Sequence, residues 1–208
     1  MIYSQNLTFS YGPEKTFLFP DIQCNNRQAL VILGRSGQGK TTLLHLLGLL
    51  LQPQSGSISV NNQDITSLSV ADAAVLRASQ IGIVYQRPHF VSSLSVLDNI
   101  LMANYLAKKP QDKNRVRELA AQLGFEQHLA KKTNQLSLGE QQRVGIARAL
   151  VNNPSVVLAD EPTSNLDDYN CARVVETLQN QSQQIGASLV VVTHDQRLKD
   201  VFLNQVIL

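Results

Sequence analysis

The chain has 208 residues, of which 43% are hydrophobic and 16% are charged, and its formal net charge is +2 at pH 7. This length and apolar content are sufficient for one α/β domain with a sizeable core. The nearly balanced charge argues against the strongly basic surface of a nucleic-acid-binding protein, so we expect no nucleic-acid partner.

Two cysteines, Cys24 and Cys171, have neither metal-site spacing nor the density of a disulfide framework, which favours a reducing compartment. The first residues lack the basic and apolar regions of a signal peptide. The longest apolar stretch, residues 43–51, is too short to span a bilayer. We therefore expect a cytoplasmic protein that reaches a membrane only through a partner.

The first half of the chain predicts mostly strands. Residues 1–19 alternate apolar and polar side chains around the turn sequence Tyr11-Gly12-Pro13, which predicts two antiparallel strands. Short apolar runs at 29–33 and 81–85 predict buried strands, and residues 57–60 predict another strand before the Asn61-Asn62 turn.

The second half predicts helices followed by core strands. From residue 87 to about residue 153 the apolar spacing is helical. Residues 156–159 and 189–192 are continuous runs rich in β-branched residues, typical of central parallel strands, and a helix is predicted between them over about 167–183. A last strand is expected just before Leu208.

This order of elements predicts one α/β domain over residues 1–208 whose central sheet is mostly parallel. An antiparallel β layer is expected at the N-terminus. About 87–153 would form an inserted helical subdomain.

A phosphate-binding loop is the strongest motif in the chain. Gly34 to Thr41 reads G-R-S-G-Q-G-K-T and fits the pattern G-x-x-x-x-G-K-[ST], with a predicted strand before it and a predicted helix after it. Its glycines permit close backbone approach, so that backbone N–H groups and the helix N-terminus face an anion. Lys40 would reach the β- and γ-phosphates, and the Thr41 hydroxyl would ligate Mg²⁺. A glycine-rich turn with a chance lysine is the alternative. The residues expected around the nucleotide phosphates are Gly34, Arg35, Ser36, Gly37, Gln38, Gly39, Lys40, Thr41 and Thr42.

Two adjacent carboxylates end the strand predicted at 156–159. Asp160 can face Mg²⁺ across the phosphate loop, while Glu161 can orient and deprotonate a water that attacks the γ-phosphate. Solvated acids at a strand end are the alternative. His194 ends the next strand, where it could contact the γ-phosphate or the water held by Glu161, although a lone histidine at a strand end is usually structural.

The segment Leu136 to Arg143, L-S-L-G-E-Q-Q-R, resembles the LSGGQ signature of the ATP-binding cassette (ABC) ATPases, the motor subunits of ABC transporters. Further landmarks of that family occur in the same order. Tyr11 lies where the family has its adenine-stacking aromatic residue, Gln86 matches the Q-loop, residues 164–167 match the D-loop, and His194 matches the switch histidine. The resemblance covers essentially the whole chain.

The resemblance implies a P-loop NTPase, an ATPase that uses ATP and Mg²⁺. Residues 1–86 and 154–208 would form its ATP-binding core with the β layer, and about 87–153 would form the helical subdomain that carries the signature. Two such domains, most simply a homodimer, associate head to tail, so that Ser137, Gly139 and the adjoining Glu140 meet the γ-phosphate held by the other copy. It also implies integral membrane permease subunits, with the ATPase peripheral on the cytoplasmic face of the inner or plasma membrane. The implied catalytic residues are Glu161, His194 and Gln86, and the implied metal-site residues are Thr41, Gln86 and Asp160.

The signature departs from the family pattern at two positions. Leu138 replaces the usual first glycine, and Glu140 replaces the usual glutamine. If position 138 needs a positive φ, leucine would cost on the order of 1 kcal/mol. We expect the leucine side chain to point away from the nucleotide and activity to be retained.

Within the family, several stretches resemble the small ATPases of the lipoprotein-release and macrolide-exporter group. They are residues 42–48, 81–86, 149–154 and 158–167. A cell-division ATPase of similar size is the alternative within the family. A soluble ABC protein of repair or translation would need a second cassette, a coiled coil or zinc elements, and a nonhydrolysing nucleotide-binding module is disfavoured by Asp160, Glu161 and His194.

Overall fold

Ten strands and six α-helices make up the regular structure of the computed structural model, which describes residues 1–13, 15–164 and 166–208. The strands are β1 (Ile2–Ser10), β2 (Thr16–Leu18), β3 (Ile22–Cys24), β4 (Ala29–Leu33), β5 (Ser55–Val60), β6 (Gln63–Asp64), β7 (Ile81–Val84), β8 (Val156–Asp160), β9 (Ser188–Thr193) and β10 (Asn204–Ile207). The helices are α1 (Lys40–Leu47), α2 (Val70–Gln80), α3 (Val96–Leu106), α4 (Lys113–Gln122), α5 (Leu138–Leu150) and α6 (Asp168–Gln184). Short 3₁₀ helices span Glu126–His128, Thr133–Gln135 and Gln196–Leu198.

The first sheet is antiparallel and is built on the long strand β1. Strands β2, β3 and β5 all pair with β1, and β6 pairs with β5. The register of β1 against β5 shifts between Gln5 and Thr8, where Asn6 has a φ of 52°. This bulge changes which residues face inward, so that Leu7 and Phe9 are buried together with Ile2.

The second sheet is parallel, with strand order β10-β4-β9-β8-β7. Strands β4, β8 and β9 are buried over nearly their whole length, which agrees with their continuous apolar sequences. Their alternate side chains face opposite ways. Val31 and Val191 belong to a core cluster with residues of α3, α5 and α6, whereas Ile32 and Val190 belong to a second cluster with residues of α1 and the antiparallel sheet.

Polar side chains fix the start of most helices. At five N-termini the side chain of the N-cap residue accepts a hydrogen bond from a backbone N–H in the first turn, which satisfies one of the donors that a helix leaves unpaired. These N-cap residues are Ser69, Ser95, Asp112, Ser137 and Asp167. Helix α1 differs, since its N-cap is Gly39 of the phosphate loop and has no side chain to cap it.

The predicted fold class is confirmed, because a parallel sheet, an antiparallel sheet and helices on the parallel sheet are all present. Strands β3 and β6 and helix α2 were not predicted. Apolar periodicity did not indicate helix α2, because Leu76 is the buried residue of this helix and the helix lacks an apolar stripe. Asn165 of the expected D-loop lies outside the described residues, and the division into core and helical subdomain stays a prediction. None of the described helices has both the length and the apolar character needed to cross a bilayer.

Candidate nucleotide site

The residues of the predicted site lie at the edge of the parallel sheet where four neighbouring strands end. In spatial order, β4 leads into the phosphate loop, β9 into His194, β8 into Asp160 and Glu161, and β7 into Gln86. Because parallel strands end at the same edge, segments far apart in sequence meet there. The site is therefore formed by four loops that follow neighbouring strands of one sheet.

The glycines of the phosphate loop adopt a backbone that other residues resist. Gly37 has a φ of 80° and Gly39 a φ of 94°. A Cβ atom at Gly39 would also lie 2.7 Å from Cδ1 of Phe17. The loop can therefore turn from β4 into α1 with its backbone N–H groups free to approach an anion.

Lys40 is 7% exposed and lies at the centre of the site. Its ammonium donates to the carbonyl oxygens of Gly34 at 2.9 Å and Arg35 at 3.1 Å, and it lies 3.5 Å from Oε1 of Glu161. A buried ammonium on a flexible side chain beside a glycine-rich loop can donate charge-assisted hydrogen bonds to a phosphate group.

The Thr41 hydroxyl meets the Asp160 carboxylate across the cleft. Their oxygens are 3.2 and 3.3 Å apart, although the residues are 119 positions apart in sequence. Burial raises the pKa of Asp160, the neighbouring charge of Glu161 raises it further, and the Thr41 hydrogen bond opposes the rise. A cation bound beside Asp160 would offset the cost of burying its negative charge.

Glu161 is held from two sides by the end of β9. Its Oε1 atom lies 2.8 Å from Nδ1 of His194, while its Oε2 atom accepts hydrogen bonds from the Thr193 hydroxyl at 2.8 Å and the His194 backbone N–H at 3.3 Å. The backbone of Glu161 is in the left-handed region, with a φ of 45°. For a residue with a Cβ this conformation costs of the order of 1 kcal/mol or more and marks functional sites.

These side chains surround a cleft of about 490 Å³. The aromatic residue that lines it is Phe17, which stacks on Phe19 with ring centroids 6.0 Å apart. Tyr11, the predicted adenine-stacking residue, is 68% exposed nearby, and its hydroxyl lies 3.1 Å from Oγ1 of Thr42. The full lining is Phe17, Ser36, Gly37, Gly39, Lys40, Thr41, Thr42, Gln86, Glu161 and His194.

A second cleft, of about 470 Å³, lies on the other side of the phosphate loop. Arg35 and Gln38 line this second cleft, Ser36 lines both, and the Gln38 side chain accepts from the Arg35 backbone N–H. The predicted loop residues therefore divide between two faces, with Lys40 and Thr41 on the side of Glu161.

The signature residues occupy a different place, at the N-terminus of α5. Ser137 is the N-cap, and its backbone N–H and hydroxyl donate to Oε2 of Glu140 at 2.8 and 2.7 Å, which forms a capping box. Leu138 is 83% exposed, as expected for a side chain that points away from the protein. Ser137, Gly139 and Glu140 are not among the residues that line the cleft around Lys40, so one copy of the chain presents the two parts separately.

Sequence reasoning missed two residues of the site. Phe17 enters the cleft from β2, and its only sequence signal was the alternation of Phe17-Leu18-Phe19. Thr193 holds Glu161, and its signal was its position next to His194 at the end of an apolar strand. Both roles depend on tertiary contacts that spacing alone does not predict.

Arg197 connects the loop after β9 to the start of α6. Its guanidinium donates to Asp195 at 2.7 to 3.1 Å, to Asp168 at 2.7 Å and to the carbonyl oxygen of Leu166 at 3.2 Å. Hydrogen bonds from Arg197 and Thr163 lower the pKa of Asp195 to about 2. The segment that follows His194 is thereby tied to the end of the expected D-loop.

The hydrogen bonds between Arg197 and Asp195 predict that the free energy of unfolding depends on pH. The folded pKa of Asp195 is depressed below its ordinary value of 3.8, so its contribution is present above that value and is lost as the pH falls towards 2. In Arg197→Ala, the urea midpoint should fall at pH 7 and should change less between pH 4 and pH 2 than in the parent. Arg117→Ala, which removes an exposed arginine of α4, is the control, and an equal change in both variants would contradict the role given to Arg197.

Comparisons with known proteins agree with this geometry. The family model described as ABC transporter matches residues 20–164. The chain is 39% identical over 202 residues to the lipoprotein-releasing system ATP-binding protein LolD of Saccharophagus degradans, covering 95% of this chain and 88% of that protein.

Solved structures lead to the same family. A dimeric post-hydrolysis state of the ATP-binding cassette MJ0796, bound to ADP and Pi, superposes with a TM-score of 0.89 at 29% identity and covers 100% of this chain and 94% of that one. CbiO1 of Clostridium perfringens, part of the ABC transporter complex cbiONQ, gives a TM-score of 0.82 at 31% identity over 93% of this chain and 78% of that one. The chain is therefore an ATP-binding cassette ATPase and belongs to the ABC transporter family.

Proposed function

We propose that two copies of this chain bind ATP between them and that hydrolysis drives a separate membrane permease. The observation that carries the proposal is the division of the site within one chain. Lys40, Thr41 and Glu161 line the cleft at the edge of the parallel sheet, whereas Ser137 and Gly139 lie at the start of α5 outside that lining. A head-to-tail arrangement supplies each cleft with the signature residues of the other copy, and a similar cassette, MJ0796, has been solved as a dimer.

Glu161 is the proposed general base. Its carboxylate is fixed by Thr193 and His194, which orient it without occupying all of its acceptor positions. His194, being 61% exposed, can turn towards a terminal phosphate, while Lys40 holds the β- and γ-phosphates. Gln86, in the same cleft, would position the attacking water or the metal ion.

The same cleft is suited to Mg²⁺. Thr41 and Asp160 bring hard oxygen ligands together, which is the donor set that this ion prefers. Among the described residues, no cluster of three or more His, Cys, Asp or Glu side chains could hold a metal alone, which fits an ion that shares its ligands with nucleotide phosphates. When bound, Mg²⁺ would neutralise charge that develops on the phosphates.

An apolar groove of about 610 Å³ is the proposed contact with the permease. It lies among α2, β7, α3 and α5, and it is framed by the exposed side chains of Val75 and Leu106. Arg148 and Tyr85 add polar groups to its wall. Since β7 leads directly into Gln86, a partner seated in this groove would sense the state of the nucleotide cleft.

Leu106→Asp should therefore prevent copurification with the permease from detergent-solubilised membranes, because a charge would be buried in an apolar contact. The ATPase rate of the isolated chain should change less than about twofold, since Leu106 lies outside the cleft. Leu203→Asp is the matched control, because Leu203 is fully exposed elsewhere on the surface. Equal recovery of permease with both variants would remove the groove from this role.

The likeness to LolD favours a permease of the lipoprotein-release type. We propose this branch and a location on the cytoplasmic face of the membrane that carries the permease. Mass spectrometry of the membrane protein that copurifies with the chain tests both points.

Assembly should control the rate. We expect the specific ATPase activity to rise with protein concentration and to rise again, by about tenfold or more, when the permease holds two copies together. Leu138→Gly should leave this dependence in place, because Ser137 and Gly139 keep the hydroxyl and the backbone N–H that would face the phosphate of the other copy. A rate independent of concentration and of the permease, or an inactive parent that Leu138→Gly restores, would contradict the proposed split site.

A further inference from the structure

We propose that His128 is a positioning residue for the signature end of α5, where its Nε2–H group holds the carboxylate of Glu140 beside the Ser137 hydroxyl. This inference rests on the proposed function, since it concerns the surface that would meet the ATP of a second copy. It assigns a role to a side chain outside the motifs found in the sequence.

A chain of hydrogen bonds connects the three residues. Nε2 of His128 lies 2.8 Å from Oε1 of Glu140, and Oε2 of Glu140 accepts the Ser137 hydroxyl at 2.7 Å. Because a charged carboxylate only accepts hydrogen bonds, Nε2 must carry a proton in this contact. Each carboxylate oxygen is thus directed to a different partner.

The segment that follows His128 is held against the start of α3. Backbone N–H groups at the start of α3 donate to the segment that follows His128, from Leu97 to the carbonyl of Leu129 at 3.0 Å and from Val96 to that of Lys131 at 2.9 Å. The His128 side chain is only 13% exposed, and its Nδ1 atom is buried without a hydrogen-bond partner in the described structure. The same Nε2 atom also lies 3.3 Å from Nε2 of Gln127, so the contacts with Glu140 and Gln127 are the polar interactions of the ring in the described structure.

The negative charge of Glu140 makes the position of its carboxylate important for the proposed dimer. The pKa of Glu140 is lowered to about 2, chiefly by hydrogen bonds from Ser137 and to a smaller extent by His128, so the carboxylate is charged at neutral pH. In the proposed dimer it would lie directly behind the hydroxyl that faces the terminal phosphate of ATP. Two anions so close repel each other, and the Nε2–H group of His128 holds the Oε1 atom of the carboxylate away from that phosphate.

The contact also affects the direction of the Ser137 hydroxyl. That hydroxyl has one proton, which is now given to Oε2 of Glu140. Drawing Oε1 towards His128 limits how far the carboxylate can move with the serine. Without His128, Ser137 alone would hold the carboxylate through Oε2, and its Oε1 atom could turn towards the incoming phosphate.

ATP-driven dimerisation of the whole chain tests the inference. Sedimentation with ATP and Mg²⁺ in the Glu161→Gln background reports assembly without turnover. His128→Leu should weaken dimerisation by on the order of tenfold, and His128→Gln should restore most of it, because an amide N–H can donate to the same carboxylate. Lys131→Leu changes an exposed residue of the same segment and is the matched control. Thermal melting of each variant checks that it is folded.

A double-mutant cycle separates this role from packing. In the Glu140→Ala background there is no carboxylate to hold, so His128→Leu should cause no further loss. The same loss in both backgrounds, no rescue by glutamine, or no loss in His128→Leu would overturn the inference while leaving the proposed function standing. A Glu161→Gln chain that stays monomeric with ATP would instead contradict the proposed dimer, and with it this inference.

Discussion

Glu161→Gln should lower ATP turnover by at least about a hundredfold, because an amide cannot accept the proton of an attacking water. The side chain keeps its shape and one oxygen acceptor, so the contacts from Thr193 and His194 should largely persist. Nucleotide affinity should therefore survive, and ATP should accumulate between two copies that cannot release it.

Two measurements check this expectation. Single-turnover hydrolysis reports the chemical step, and size exclusion with ATP and Mg²⁺ reports the trapped dimer. Glu176→Gln, an exposed glutamate of α6, is the matched control and should behave as the parent. A normal hydrolysis rate in Glu161→Gln would exclude Glu161 as the base.

Lys40→Ala should act one step earlier, by weakening ATP binding roughly 10- to 100-fold, the size of a lost hydrogen bond to a charged group. The buried ammonium of Lys40 is directed into the loop by the carbonyl oxygens of Gly34 and Arg35. Alanine removes the cation and also leaves those two oxygens without their donor, so the phosphate loop should become less ordered as well.

Equilibrium binding of a fluorescent ATP analogue measures this loss directly. Lys113→Ala removes an exposed lysine from the first turn of α4 and controls for net charge. The melting temperature of both variants shows whether the fold is intact. If Lys40→Ala and Lys113→Ala bind nucleotide equally well, the phosphate loop is not the binding site.

Local sequence was sufficient to predict the parts of the site that lie at the ends of strands. The phosphate loop and the pair Asp160 and Glu161 each combine an apolar strand with a polar end, and both features are read within about ten residues. The parallel order of the strands then brings them together, as Thr41 and Asp160 show by meeting at 3.2 Å.

Contacts between side chains from separate elements could not be predicted from the sequence. Phe17 enters the cleft from the antiparallel sheet, and His128 reaches Glu140 from a short 3₁₀ helix. Neither contact has a periodicity or a fixed spacing, because each arises from how elements pack. The role of Tyr11 also stays a prediction, since its exposed ring lies beside the cleft and Phe17 lines it.

The left-handed backbone at Glu161 sets stability against activity at a single position. Glycine would relieve the strain, and asparagine or aspartate would tolerate it better than glutamate does. With Glu161 as the proposed base, selection for stability alone would favour replacing glutamate at this position, whereas selection for ATP turnover would keep it. In a library sorted only for thermal resistance, loss of the proposed base should be among the favoured changes, so the sequences retained there would be poor guides to the active enzyme.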